Sequence, residues 1–410
     1  MASLHRFSAY ALATCLTGLP WFGMQANAQT PPTLSHLATQ VMNKLPQTEG
    51  QASLRALAQG QVDAAESWRA GDIIMHVTHE NDQWTGDQDL RTWEAGVETG
   101  LALPQQRQAQ QALAQSTKAQ AQALRPYLQW QAEKRVRKLV WSLKKAKTQL
   151  KFQKKTVKQA QSLLDTLSQR YQSGDAPKID FLLARTAWLE QKKRLAQTQA
   201  QHDKALTTYQ YWTGLTQLPP SLTEPLADSP WQVNTQHPAM QYLKHQSDTA
   251  LAEKGVVEAN QRGNPSVMIG SKHERNRDQN GNTLLLAQIS IPFGVQANRT
   301  QQLAQVNQTL TERNIALNRM QQTLTEQLAQ AQTDLQTARA LQAQAKEKSE
   351  LSKQAMTLAM SAYQAGQTSI QDLLRLRETY FQDQLQARLA ELNVGQAIAH
   401  LNQILGVPLS

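Results

Sequence analysis

The chain has 410 residues, a formal net charge of +10 and one cysteine, Cys15. Mean hydropathy is −0.56 and aromatic residues make up only 6%, which excludes an ordinary compact globular core. Ala, Gln, Leu, Lys and Arg dominate instead, the composition of long helices packed along narrow seams. No run of eighteen apolar residues occurs beyond the N-terminus, which excludes a transmembrane helix.

Residues 1–28 read as an export signal. Arg6 supplies charge, Ala9 to Leu19 a short apolar region, and Ala26-Asn27-Ala28 a small-x-small cleavage site before Gln29. Leu12-Ala13-Thr14-Cys15 offers a rival lipoprotein reading, with Cys15 lipidated. Cleavage after Ala28 leaves a mature chain without cysteine, and so without disulfides, thiolate metal sites or cysteine nucleophiles.

Two copies of one plan follow, residues 29–230 and 231–410. In the first, the pattern predicts a helix over Leu34 to Arg69, strands over 72–79 and 90–103, and long helices over 105–172 and 178–213. The strands flank the polar loop "ENDQWTGDQD". In the second strand Trp93, Ala95, Val97 and Leu101 alternate with Glu94, Gly96 and Glu98, so one face is apolar. The long helix carries a continuous seam: Val136, Leu139, Val140, Leu143, Ala146, Leu150, Val157, Ala160, Leu164, Leu167 and Tyr171. At 1.5 Å per residue it is about 100 Å long. The proline-rich "LTQLPPSLTEPLADSPW" joins the copies.

The second copy repeats this with a helix over Ala239 to Arg262, strands over 266–273 and 283–291, and long helices over 299–364 and 370–405. Leu285, Ala287, Ile289 and Ile291 share a face of its returning strand. The helix reversals "YQSGDAPKIDFLLART" from Tyr171 and "YQAGQTSIQDLLRLRE" from Tyr363 lie 192 positions apart (363 − 171), as do Gly214 and Gly406. Helices this long cannot bury their seams within a globule and must pack laterally. Strands with one apolar face, in an exported protein, suggest a closed barrel in lipid. Four are too few to close one, so several chains must pool them.

These features resemble the TolC family of outer-membrane efflux ducts over nearly the whole mature chain. The reversals are similar to its Y-x-x-G-x-x-x-x-x-D-x-L pattern, and "NPSVMIGSKHERNRDQNGNTLLLAQISIPF" resembles the second hairpin of the CzcC-like heavy-metal branch. The resemblance implies a mainly α-helical homotrimer in the outer membrane: a twelve-stranded β-barrel continued by a periplasmic helical barrel. It also implies docking to a periplasmic adaptor and an inner-membrane pump of RND type. Such a duct exports passively, with heavy-metal cations as the cargo of that branch, and uses no catalysis and no cofactor. Drugs or a type I secreted protein are the alternative cargoes, and a soluble periplasmic coiled-coil scaffold or adaptor is the alternative class.

The resemblance further implies that the reversals form the periplasmic tip, for adaptor docking and gating: Tyr171, Gly174, Asp175, Asp180, Leu182 and Arg185 in the first copy, and Tyr363, Gly366, Gln367, Asp372, Leu374 and Arg375 in the second. Gly174 and Gly366 also suit a helix reversal whatever the function. Asp180 and Asp372 suit either helix capping or an entrance carboxylate ring. Some relatives carry a second carboxylate three residues past such an aspartate; this chain has Arg375 there, as well as Arg185 in the first copy, which argues against an acidic entrance.

From Lys134 to Lys158 there are eleven cations and no acid. A solvated outer face is the plain reading; adaptor contact or an anion-attracting tunnel wall are the others. Aromatic interleaving and a nucleic-acid-binding motif are both lacking. His76 and His79 are three apart on a strand, on opposite faces, and do not chelate together. His237, His245, His273 and His400 are scattered, and Met356 with Met360 suits seam packing better than copper. No metal site, Ser-His-Asp order, phosphate loop or H-E-x-x-H is expected.

Overall fold

The structure is a computed structural model that describes residues 32–84, 86, 89–294 and 298–409. The expected export signal over residues 1–28, with Cys15, lies outside the described residues. In chain order the elements are α1 (Leu34–Asn43), α2 (Glu49–Glu66), β1 (Arg69–Asn81), β2 (Arg91–Leu101), α3 (Pro104–Gln172), α4 (Lys178–Thr213), α5 (Pro238–Ala259), β3 (Ser266–Asn276), β4 (Gln279–Ser290), α6 (Arg299–Gln364) and α7 (Ile370–Ile404).

The single helix expected over Leu34 to Arg69 is two. Leu45 before Pro46 is extended, with φ −77° and ψ 126°, because proline disfavours helical backbone in the residue ahead of it and brings no N–H of its own. A second proline behaves differently. Pro126 lies inside α3, which runs through it unbroken for 69 residues, about 100 Å. The proline removes one backbone hydrogen bond there, and the flanking turns are held by packing, with Leu124 and Leu128 both buried. No described helix is both long and apolar enough to cross a membrane.

The seam of α3 is buried from Val136 through Leu150 and again at Leu164 and Leu167. It thins in between, where Val157 and Ala160 are half-buried, and Tyr171 at its end is exposed. Three apolar clusters cover the seams. One joins α1, α3, α4 and the proline-rich joint around Val136, Val140 and Tyr209. Another joins α6 and α7 around Leu324, Leu335 and Leu401. The third gathers the ends of α3, α4, α6 and α7 around Leu167 and Leu373.

The two hairpins form one antiparallel sheet in the order β1-β2-β3-β4. Strands β1, β3 and β4 extend further into the polar loops than their apolar stretches suggest. The ladder continues through Glu80 opposite Thr92 and Asn81 opposite Arg91, since backbone pairing does not depend on side-chain polarity. The copies join where Gly96 faces Gly270. A Cβ on Gly270 would lie 2.4 Å from the Ala95 carbonyl oxygen, so only glycine permits this approach.

The register gathers most apolar residues of both hairpins on one side. Met75, Val97, Ile269 and Ala287 form one row across the sheet, and Val77, Ala95, Ser271 and Leu285 the next. This side is bare: Met75 is 73%, Leu285 84% and Ile289 70% exposed. The other side is mixed: Glu98 accepts from Ser266 Oγ (2.5 Å) and meets His76 Nε2 (2.6 Å) there, beside Ile74, Met268, Leu284 and Leu286.

One of the eleven cations departs from the solvated-face expectation. Arg137 is 5% exposed and its guanidinium grips Glu224 of the joint, Nε to Oε1 at 3.0 Å and Nη2 to Oε2 at 2.7 Å. It also donates to Gln403 Oε1 (2.5 Å) and the Val407 carbonyl (3.0 Å). Asn402 donates to the Pro225 carbonyl and accepts from the Ala227 N–H. The irregular joint and the C-terminus are thereby fastened to α3. Lys145 is also half-buried, bonded to Gln396, and burial lowers its pKa.

Nearby, His237 is 2% exposed, caps α5 by accepting from the Ala239 N–H, and packs edge-on to Trp130. Burial lowers its pKa from 6.5 to about 4. The unfolded chain therefore takes up this proton before the native chain does, and stability falls as pH drops from 6.5 towards 4. His237→Asn keeps an acceptor and cannot charge; its melting temperature should depend less on pH over that interval than the wild type's. Arg137→Ala leaves Glu224 buried and unpaired and should cost about 3–5 kcal/mol, seen as an earlier thermal melt by circular dichroism. Arg137→Met with Glu224→Leu should recover most of that loss.

Candidate functional site

Each long helical hairpin ends in the same hydrogen-bonded reversal. At the end of α3, Gly174 has φ +82°; its N–H donates to the Tyr171 carbonyl (3.2 Å) and the Asp175 N–H to the Arg170 carbonyl (2.7 Å). At the end of α6, Gly366 has φ +73°, with Gly366 N–H to the Tyr363 carbonyl (3.0 Å) and Gln367 N–H to the Ala362 carbonyl (2.8 Å). Both are Schellman turns, which place glycine at the first left-handed position past a helix.

Past the glycines the two tips diverge. Helix α7 opens with Ser369, whose hydroxyl accepts from the Asp372 N–H (3.1 Å) and bonds the Asp372 carboxylate (2.8 Å). Asp372 also pairs with Arg375 at 3.7 Å. Asp372 therefore fits the capping reading. Helix α4 opens with Pro177 and has no side-chain cap. Asp180, in its first turn, accepts instead from the Tyr363 hydroxyl at 3.0 Å, so a carboxylate of the first tip is held by a phenol of the second. Burial, and then Asp180 itself, raise the Tyr363 pKa, which keeps the phenol protonated and donating at neutral pH.

The other expected residues also find definite places. Asp175 accepts from Ser173 Oγ (2.7 Å), and Tyr171 stacks on Phe181 at 5.8 Å. Leu374 packs at the edge of the tip cluster with Tyr363. Leu182 is 42% exposed, and Arg185 and Gln367 are exposed. The tips are thus brought together at Tyr363–Asp180 and through the cluster, while Asp175, Gln367, Arg185 and Arg375 face solvent.

Above the tips a polar belt joins the hairpins. Glu378 of α7 accepts from Arg194 and from Gln191 Nε2 of α4, and Gln191 accepts from Gln153 of α3. Arg377, largely buried, donates to the Gln159 carbonyl. Nothing in the repeat marks these residues, because the partners come from non-equivalent positions in the two copies. The histidines do not gather: His76 meets Glu98, His79 stacks on Trp93 (4.1 Å) and His273 bonds Thr283. Among the described residues no three His, Cys, Asp or Glu side chains are grouped to hold a metal ion.

Tyr363→Phe deletes the bond between the tips and keeps the ring. At about 1 kcal/mol for such a bond, amide exchange over 171–182 and 363–374 should quicken about fivefold, with the upper helices unchanged.

Comparison with known proteins agrees with this geometry. Residues 48–214 match the family model for outer membrane efflux proteins. No curated protein sequence matches the chain. Among solved structures, the outer membrane protein VceC of Vibrio cholerae aligns with a TM-score of 0.70 at 15% identity, over 91% of this chain and 96% of that one. The Campylobacter jejuni CmeC outer membrane channel gives 0.71 at 12%, over 92% and 86%. The open state of the Neisseria gonorrhoeae MtrE outer membrane channel gives 0.63 at 15%, over 92% and 89%. Residues 48–214 are therefore similar to outer membrane efflux proteins, and the chain shares the fold of these solved channels over nine-tenths of its length.

Proposed function

We propose that the protein is the outer-membrane exit duct of a tripartite efflux system, built from repeats at 29–230 and 231–410 and working as a homotrimer. The observation that carries this reading is the four-stranded sheet with one bare apolar face and outer edges that pair with nothing among the described residues. Lipid tolerates no open sheet edge. In this up-and-down order β4 of one copy runs antiparallel to β1 of the next, so three copies close twelve strands. Strands of 11 to 13 residues suit a tilted crossing of the bilayer. The long helices then extend about 100 Å away from it. A periplasmic scaffold or adaptor would have no use for the bare face.

In this reading the tips meet a periplasmic adaptor that links the duct to an inner-membrane pump of RND type, and they gate the lower end. Cargo follows the likeness of the second hairpin to the CzcC-like branch: heavy-metal cations, selected by the pump. Conduction of this kind is passive and needs no catalysis and no cofactor.

The protein should leave the membrane only in detergent and run as heat-sensitive trimers on gels; a monomer in the soluble periplasmic fraction would overturn the duct. Photo-crosslinkers at positions 175 and 367 should capture the adaptor, and capture at neither would remove the tips from docking. A deletion strain should become sensitive to zinc, cobalt or cadmium, whereas sensitivity to drugs alone would refute the metal cargo.

A further inference from the structure

A groove of about 890 Å³ runs between α3 and α4 at mid-height and is closed on one side by Met320 of α6. Four cations line it, Lys134, Arg135 and Lys138 from α3 and Lys204 from α4, and no carboxylate does. The acid nearest in sequence, Glu133, is turned away into the buried cluster around Arg137. The remaining wall combines the aromatic Tyr127, Trp130 and Trp212 with aliphatic and uncharged polar side chains.

The walls are fixed in advance. Arg135 lies over the Trp212 ring at 3.9 Å, Tyr127 stacks on Tyr242 at 4.7 Å, and the Trp130 indole donates to the Gln403 carbonyl at 2.8 Å. Aromatic side chains already held in place, set beside several cations, suit a ligand with an aromatic body and anionic substituents. The volume fits a small organic molecule.

We propose that this groove is a binding site for aromatic organic anions such as carboxylates or sulfonates. The ring system occupies the groove lined by Trp212, Trp130 and Tyr127, and the anionic groups meet Lys134, Lys138, Lys204 and the free edge of Arg135. Free metal cations are repelled by the same charges, so the site is separate from the cargo proposed above. It does not depend on the duct reading.

The probe is pyrene-1,3,6,8-tetrasulfonate, followed by fluorescence anisotropy against the whole detergent-purified protein in its native oligomeric state. Saturable binding that weakens with added salt is expected. The triple variant Lys134→Gln, Lys138→Gln, Lys204→Gln should bind about tenfold more weakly or worse. The variant Lys151→Gln, Lys154→Gln, Lys155→Gln removes as much charge from exposed positions elsewhere on α3 and should stay within about twofold of the wild type. Absence of saturable binding would overturn the proposal, the groove then being covered by a neighbouring copy. Equal weakening by both variants would overturn it too, since the attraction would then belong to the charge of the whole helix.

Discussion

A helix about 100 Å long cannot turn its apolar stripe back on itself, and α3 has such a stripe from Val136 to Leu167. Its only route to burial is sideways, against other helices lying along it. Helices α2 and α5 cover its upper half, α4 its lower half, and α1 with the proline-rich joint its middle. The apolar stripe of α6 is met in the same way by α5 and α7. The thinning of the seam at Val157 and Ala160 marks where lateral cover within one chain runs short.

The sheet poses the same problem in another form. Strand β2 pairs with β3, so the two copies share one surface, but among the described residues that surface still has two open edges and an uncovered apolar side. Soluble proteins protect such edges with charge, proline or a covering helix. Here Met75, Val97, Ile269, Leu285 and Ile289 stand on the bare side, which is tolerable in lipid and costly in water. Several buried polar groups are held by close pairing among the helices instead. The clearest case is Arg137 with Glu224, where an irregular loop supplies the carboxylate.

The two tips show how a duplicated plan can diverge while its backbone stays the same. Both use a Schellman turn closed by glycine. In the second, Ser369 and Asp372 satisfy the helix start locally. In the first, Pro177 leaves Asp180 free to accept from Tyr363. One carboxylate stabilises its own helix and its counterpart joins the two hairpins, a division that follows from the exchange of Pro177 for Ser369.

Much of this was legible in the residues alone. Period-3.6 seams set the long helices to within a residue or two, period-2 alternation set the apolar strand faces, and paired glycines set the reversals, because each depends on neighbours close in the chain. The single helix expected over Leu34 to Arg69 passed over the local effect of Pro46, and alternation failed at the strand ends, which ran on past their apolar stretches. Contacts between distant segments were not legible. The order β1-β2-β3-β4, the bond from Tyr363 to Asp180, the belt around Glu378 and the burial of Arg137 each join residues whose proximity no periodicity encodes. In a row of eleven cations nothing distinguishes Arg137 until Glu224 is placed opposite it. Sequence determined the elements and the faces they must hide; only the tertiary structure decided which partners hide them, because burial is satisfied in space and not along the chain.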